Sequence, residues 1–277
     1  MDQPFFSVII PTLNEEKFLP HLLDSLVAQT IKNFEVIVID GASHDKTIAV
    51  ANSFKKKLPL TILSSKVAGV SRQRNMGADK AKADWLVFID ADTVLLPLFF
   101  ERVQQFILHH HPSFFTTWFR ADSDEPTDAI FAFLGNILVE GSILIDRPWS
   151  PGPLTIIKRN AFTAVGGYDE GTTFAEDHDL AMKVFERGVR LQVLHEILFI
   201  YSLRRYRTEG TLRAISRYAK SALLVIITKR GPKHMPGFIA GGQLYKKRKP
   251  QVQRSAFREF QSSLKKFMTA WGGGKVL

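Results

Sequence analysis

The stretch Trp85-Leu-Val-Phe-Ile-Asp-Ala-Asp92 sets five apolar residues directly against two carboxylates one residue apart. A continuous apolar run rich in branched and aromatic side chains is how a parallel strand covered on both faces reads. Three earlier stretches repeat it: Phe6-Ser-Val-Ile-Ile10, Phe34-Glu-Val-Ile-Val-Ile39 and Thr61-Ile-Leu63. Helical patterns separate them. Over 15–29, Phe18, Leu22, Leu23, Leu26 and Val27 share one face, with Asn14 as a candidate N-cap. Residues 45–56 and 71–82 follow, with Ser43 and Ser71 as candidate caps. The alternation predicts an α/β fold: an open, mostly parallel sheet with helices on both faces. Ligands on such sheets bind outside the carboxyl ends of the strands, where Asp90 and Asp92 fall.

Further along, the pattern predicts a helix over 97–109, a strand over 114–119, and an apolar helix over 127–145 broken by Gly135 and Gly141. A loop rich in Pro and Gly runs from Pro148 to Pro153, before a short strand at 154–157. A helix over 176–187 is stopped by Gly188, and 190–201 returns to the sheet. From 208 onward helices are expected around 211–228 and 252–270, joined by the stretch from Gly231 to Pro250. The domain division expected is therefore 1–207, with halves at about 1–93 and 94–207, and a helical extension over 208–277.

Of the 277 residues, 45% are apolar and 23% charged, which excludes a wholly disordered or collagen-like chain. The absence of cysteine excludes a disulfide framework, a thiolate metal site and a cysteine nucleophile. Met1-Asp2-Gln3-Pro4 has no signal-peptide character, and no apolar run approaches the roughly 20 residues of a bilayer span. No membrane-spanning helix is predicted, and the expected location is cytoplasmic, or peripheral at the inner face of the cell membrane. The net charge of +10 hides a division. Residues 1–203 hold 19 Lys+Arg against 25 Asp+Glu, or −6, and residues 204–277 hold 18 against two, or +16. A basic tail of this kind points to an anionic partner, either a membrane surface or nucleic acid.

Two carboxylates at a strand end repel unless something positive lies between them. Mg²⁺ or Mn²⁺ does this, held by one or two carboxylates plus substrate phosphates; the pair taken alone reads equally as an exposed strand end that needs only polar residues. Asp40 closes the second strand in the same way, where it can accept hydrogen bonds from a nucleobase or ribose. The first strand ends in Pro11-Thr12-Leu13-Asn14-Glu15-Glu16 with no G-x-G-x-x-G, which weighs strongly against a dinucleotide-binding dehydrogenase. Gly69-Val-Ser71-Arg72-Gln73-Arg74-Asn75-Met-Gly77 opens a helix with Arg72 and Arg74 in its first turns, an arrangement suited to a diphosphate. Glu176 and Asp177 begin the later helix, where a carboxylate can take the proton of an attacking hydroxyl or can simply complement the helix N-terminus. His178 and Asp179 are expected on the helix surface or behind the site.

Together Val8-Ile-Ile-Pro-Thr-Leu-Asn-Glu-Glu16, Ile39-Asp-Gly-Ala-Ser-His-Asp-Lys-Thr47, Arg74-Asn75-x-Gly77 and Phe88-Ile-Asp-Ala-Asp92 resemble the family-2 glycosyltransferases of the nucleotide-diphospho-sugar (GT-A) type. The four motifs arrive in the family's order and spacing. The resemblance is strong over about 5–93 and weaker to about 207. It implies that Pro11, Thr12, Asn14, Glu15 and Asp40 hold the nucleotide, with Arg72, Arg74 and Asn75 near the base or diphosphate. It implies Asp92 as the direct metal ligand, Asp90 nearer the ribose, and Asp177 of the Glu176-Asp177 pair as the base. The activity implied is metal-dependent and inverting, moving a sugar from a nucleotide-diphosphate donor to a hydroxyl on a glycan or lipid-linked acceptor.

Arg204 and Arg205, in Ser202-Leu-Arg-Arg205, can neutralise a departing diphosphate or an acceptor phosphate, or can begin the basic tail. His195 can complete a metal shell or serve the fold, and His109–His111 reads as a solvated surface run before it reads as a metal site. Three rivals remain. A sugar-phosphate nucleotidyltransferase needs a glycine-rich phosphate loop after the first strand, which Pro11–Glu16 does not supply. A nucleic-acid-binding protein is suggested by aromatics among the tail's charges, yet leaves the acidic motifs unexplained, so nucleic acid is not the expected partner. An inactive sugar-binding scaffold has no need to retain every acidic motif. In the tail, 211–228 places Leu212, Ile215, Ala219, Leu223 and Ile226 on one face beside Arg213, Arg217 and Lys220. Such a face suits an anionic membrane or packs on the body.

Overall fold

A computed structural model describes residues 3–209. Strands β1 (Phe6–Thr12), β2 (Phe34–Asp40), β3 (Leu60–Ser64) and β4 (Trp85–Ile89) form the parallel part of one sheet. Strands β5 (Thr93–Leu95), β6 (Phe114–Ala121), β7 (Leu154–Lys158) and β8 (Gln192–Tyr201) extend it. The order is β3-β2-β1-β4-β7-β6-β8-β5. Beyond β4 the sheet is mixed: β7 is antiparallel to both β4 and β6, β6 is parallel to β8, and β5 is antiparallel to β8. The parallel reading therefore holds in the first half only. The order reverses at β1, so the ends of β1, β2 and β4 open on one crevice.

Alternation along the strands builds two cores. Val8, Ile10, Val36, Val38, Val87 and Ile89 face helices α1 (Leu19–Val27), α2 (Thr47–Ser53) and α4 (Phe99–His110). Ile9, Ile37, Ile39, Leu86 and Phe88 face α3 (Val70–Lys80), α6 (Arg159–Ala164) and α7 (Glu176–Glu186). Both faces are thus covered, and this produces the continuous apolar strands. Helix α3 lies close to the sheet because Gly77 has no side chain: a Cβ there would stand 2.4 Å from Ile9 Cγ2 and 2.8 Å from Ile39 Cδ1.

The helix starts differ from expectation. α1 begins at Leu19 behind Phe18, and Asn14, at φ 57°, does not cap it. Asn14 instead accepts from the His44 N–H at 2.8 Å, and its own N–H donates to Ser43 Oγ at 2.8 Å. Ser43 is thereby withdrawn from α2, whose first N–H, that of Thr47, is met by Asp45. Ser71 lies inside α3, its hydroxyl donating to the Thr172 carbonyl. In each case a bond to a distant segment takes the polar group that capping would have used.

Helix α5 (Pro126–Leu144) corrects two expectations. It runs unbroken for 19 residues, and it is long and apolar enough to cross a membrane, with mean hydropathy 1.4. Gly135 does not break it but admits the Phe119 ring, whose Cζ lies 2.9 Å from where a Cβ would be. Scattered polar residues such as Asn136 and Glu140 conceal this length and apolarity from a count of consecutive apolar residues. α8 (Arg204–Glu209) begins earlier than the expected helices, and the features assigned to 211–228, 231–250 and 252–270 lie outside the described residues. Gly77→Ala is expected to destabilise the protein by about 1–3 kcal/mol through overpacking, read as a lower denaturant midpoint. An unchanged midpoint would show that β1 and α3 can separate freely.

Candidate functional site

Two loops beyond β1 and β2 are laced together. The Glu15 N–H donates to Thr47 Oγ1 and the Glu16 N–H to Asp45, while Lys46 N–H returns to Glu16. Asp40 is buried, accepts from the Ser43 N–H at 2.9 Å, and lies 3.4 Å from the Thr12 hydroxyl. Gln73 donates to the carbonyls of Thr12 and Ile39, tying α3 to both strand ends. Pro11 lies within β1 opposite Ile39. These residues form the floor of the crevice.

Two buried arginines organise its acidic wall. Arg74, 1% exposed, donates through Nη1 to Asp177 at 2.7 Å and Glu176 at 3.2 Å. Through Nη2 it reaches Asp90 at 2.9 Å and the Gly152 carbonyl at 3.0 Å. Its guanidinium also stacks 5.0 Å from the Tyr168 ring centroid. Arg204 grips both Glu15 oxygens, at 2.9 and 2.6 Å, donates through Nε to Asp92 at 2.8 Å, and stacks 4.0 Å from the Phe18 ring centroid. One arginine comes from the first half of the chain and the other from its far end, and each reaches one carboxylate of the 90/92 pair.

Burial sets the protonation of these acids. It pushes Asp177 well above its ordinary 3.8, against the pull of Arg74, with Glu176 and Asp90 adding to the rise. Burial also raises Asp90 to about 6, opposed by Arg74, and Glu15 to about 7, opposed by Arg204. Among the described residues no group of three or more His, Cys, Asp or Glu surrounds a common point. The donor set does fit a Mg²⁺ or Mn²⁺ ion completed by substrate phosphates: the guanidiniums use Oδ1 of Asp90 and Oδ2 of Asp92, leaving a second oxygen on each.

Other expected residues lie differently. Arg72 is exposed and pairs with Glu170 at 2.9 Å. Asn75 exchanges hydrogen bonds with the Tyr168 backbone, at 2.9 and 3.0 Å, and so fixes the loop before α7. Arg205 is half-buried on α8. His178 is buried, not on the helix surface, while Asp179 pairs with Lys183 at 2.7 Å. His195 pairs with Glu140 of α5 at 2.8 Å and is exposed beside Trp118. Sequence reasoning missed the bridging by Arg74, the Glu15–Arg204 pair and the Gly152 carbonyl.

Comparison with known proteins follows this geometry. The glycosyl transferase family 2 model matches residues 7–166, and the chain belongs to that family. It is 28% identical over 186 residues to an uncharacterized glycosyltransferase of Haemophilus influenzae, covering 65% of this chain and 62% of that protein. It is 42% identical over 116 residues to a PGL/p-HBAD biosynthesis glycosyltransferase of Mycobacterium tuberculosis, covering 41% and 45%. Among solved structures, S. aureus TarS 1–349 in complex with UDP-GlcNAc superposes with TM-score 0.60 at 23% identity, covering 72% and 58%. The mannosyltransferase PcManGT from Pyrobaculum calidifontis, in complex with GDP-Man and Mn²⁺, gives TM-score 0.61 at 19% identity, covering 79% and 65%. These likenesses show the GT-A fold. The chain spans less than two thirds of the length of each of these relatives.

Arg74→Met leaves Asp90, Glu176 and Asp177 without their shared cation, and is expected to cost about 3–5 kcal/mol of stability at neutral pH. Asp177 has a folded-state pKa above its unfolded one, so its ionisation opposes folding and stability falls as pH rises from about 4. Without Arg74 the rise is larger and the fall steeper, so the mutant's deficit shrinks at low pH. Urea titrations at acidic and neutral pH check this, and an equal deficit at both would contradict it.

Proposed function

We propose that the chain is a metal-dependent, inverting glycosyltransferase that moves a sugar from a nucleotide-diphosphate donor to a hydroxyl on a glycan or lipid-linked acceptor. The observation that carries the reading is the convergence on Arg74 of Asp90, at the end of β4, and Asp177, at the start of α7. The donor lies in the crevice over Thr12, Asn14 and Asp40, with Asp90 toward the ribose and Arg204 beside Asp92 at the diphosphate. A bound cation on Asp92 would supply charge for the departing diphosphate.

Asp177 is the base. Its raised pKa makes it a stronger base toward the acceptor's proton than an ordinary carboxylate. The acceptor oxygen bonds to the anomeric carbon on the face opposite the diphosphate. The bond from that carbon to the diphosphate oxygen breaks, its electron pair leaving with the nucleoside diphosphate, and the proton passes to Asp177. Arg74 holds Oδ1 of Asp177 and fixes its direction. In this reading the transferase unit spans 1–207, with a donor half to about 93, and the basic extension over 208–277 meets an anionic membrane surface.

The experiment is release of sugar from a panel of nucleotide sugars with Mn²⁺. Asp177→Asn is expected to lower turnover by about 10²–10⁴-fold with donor affinity nearly unchanged. Near-normal turnover would move the role to Glu176. The rate of the parent protein is expected to fall as pH drops through a limb lying well above 3.8, because Asp177 must be ionised and faces Arg74, Glu176 and Asp90. Asp92→Asn is expected to keep the fold and abolish Mn²⁺-dependent thermal stabilisation by nucleoside diphosphates. Undiminished stabilisation would remove Asp92 from the cation site.

A further inference from the structure

Helix α5 is inside out for a helix of a globular body. Ile130, Phe133, Leu134, Ile137, Leu138 and Leu144 recur at helical spacing and are exposed, Phe133 by 62% and Leu144 by 84%. The opposite face, with Ala132, Asn136 and Val139, is the one that packs on the protein. Only 17% of its apolar window is buried, so α5 is not a core helix, and it is far from the N-terminus. A contiguous apolar face of this size marks an interaction surface.

We propose that this face of α5 lies in the headgroup–acyl boundary of an anionic lipid bilayer, flat against it. α5 does not span, because its inner face is held to the sheet: Asn136 exchanges hydrogen bonds with the Phe119 backbone at 3.2 and 2.9 Å, and Trp118 Nε1 donates to Glu140 at 3.2 Å. A helix fixed in this way can enter a bilayer only sideways, apolar face down. Charge selects the lipid. Tyr206 packs on Phe131 with ring centroids 4.3 Å apart, and Arg207 pairs with Asp122 and Asp128 at 2.7 and 2.6 Å. The described chain therefore ends in α8 beside the first turns of α5, and residues 210–277 hold 15 Lys+Arg against Glu259 alone. That excess of positive charge matches an anionic surface.

The surface also bears on the acceptor, and here the inference rests on the transferase reading. From Leu144 the chain runs directly to Gly152, whose carbonyl meets Arg74 at 3.0 Å beside Asp177. Eight residues can span at most about 28 Å, so a bilayer against α5 lies within a short loop's reach of the acidic wall, and the acceptor class we add is a hydroxyl carried on a membrane-embedded lipid.

The chain has no cysteine, so one introduced site reports without background. In the full chain, Leu138→Cys is labelled with an environment-sensitive fluorophore and mixed with vesicles of phosphatidylcholine, with and without phosphatidylglycerol. The label is expected to shift blue and lose iodide quenching only with the anionic vesicles, and a label at Lys55→Cys is expected to report no change. The triple variant Phe133→Gln, Leu138→Gln, Leu144→Gln is expected to keep its melting temperature and its nucleotide-sugar hydrolysis while vesicle binding falls at least about tenfold. The proposal is overturned if the label ignores vesicles, or if it is already shielded from iodide without them, which would mean that the tail or a second copy covers α5. Vesicle binding without hydrolysis of any donor would sustain the bilayer surface and remove the transferase reading instead.

Discussion

One guanidinium holds the acidic wall together. Arg74 sits beneath three carboxylates from two distant elements, and each would be costly to bury without it. The separation matters: Arg74 and Asp177 are 103 residues apart, yet 2.7 Å separates their atoms. The second half of the chain must therefore be folded onto the first for the charge to be balanced. The Gly152 carbonyl adds a fourth contact and brings in the loop that follows α5. Arg204 repeats the device at the other carboxylate, drawing the end of the described chain back over β1 and β4. Acids from the two halves of the chain are thus coupled through a cation supplied by the protein itself.

Such a wall explains why two aspartates at a strand end are tolerated. β4 is buried on both faces, and its last turn of chain delivers Asp90 and Asp92 into a space already holding two positive charges. The balance is incomplete, since burial still lifts Asp90 to about 6 and Asp177 higher than its ordinary range. A site of this kind favours the arrival of further positive charge.

The sequence disclosed the first half of the fold because two-sided burial leaves a plain mark: β1, β2 and β4 each read as continuous apolar runs, and they and the edge strand β3, which has no buried residue, appear within a few residues of their expected bounds. Three-residue β5 and six-residue α6 were too short to carry a period. Helix starts misled because Asn14 and Ser43 are good caps by type, but here they bond across loops. α5 misled in the opposite sense, since Gly135 was read as a break when it serves close packing against Phe119. The acids of the site were legible from position at strand and helix ends. Their partners were not, because a contact between residues 74 and 177 or 15 and 204 leaves no local pattern.

The central claim is a single displacement at the anomeric carbon by a hydroxyl whose proton goes to Asp177. Proton NMR of the sugar first released when a donor of known anomeric configuration is hydrolysed tests it most directly. The account predicts that the initial product has the opposite configuration, appearing before mutarotation mixes the anomers. Initial release with the donor's own configuration would contradict it.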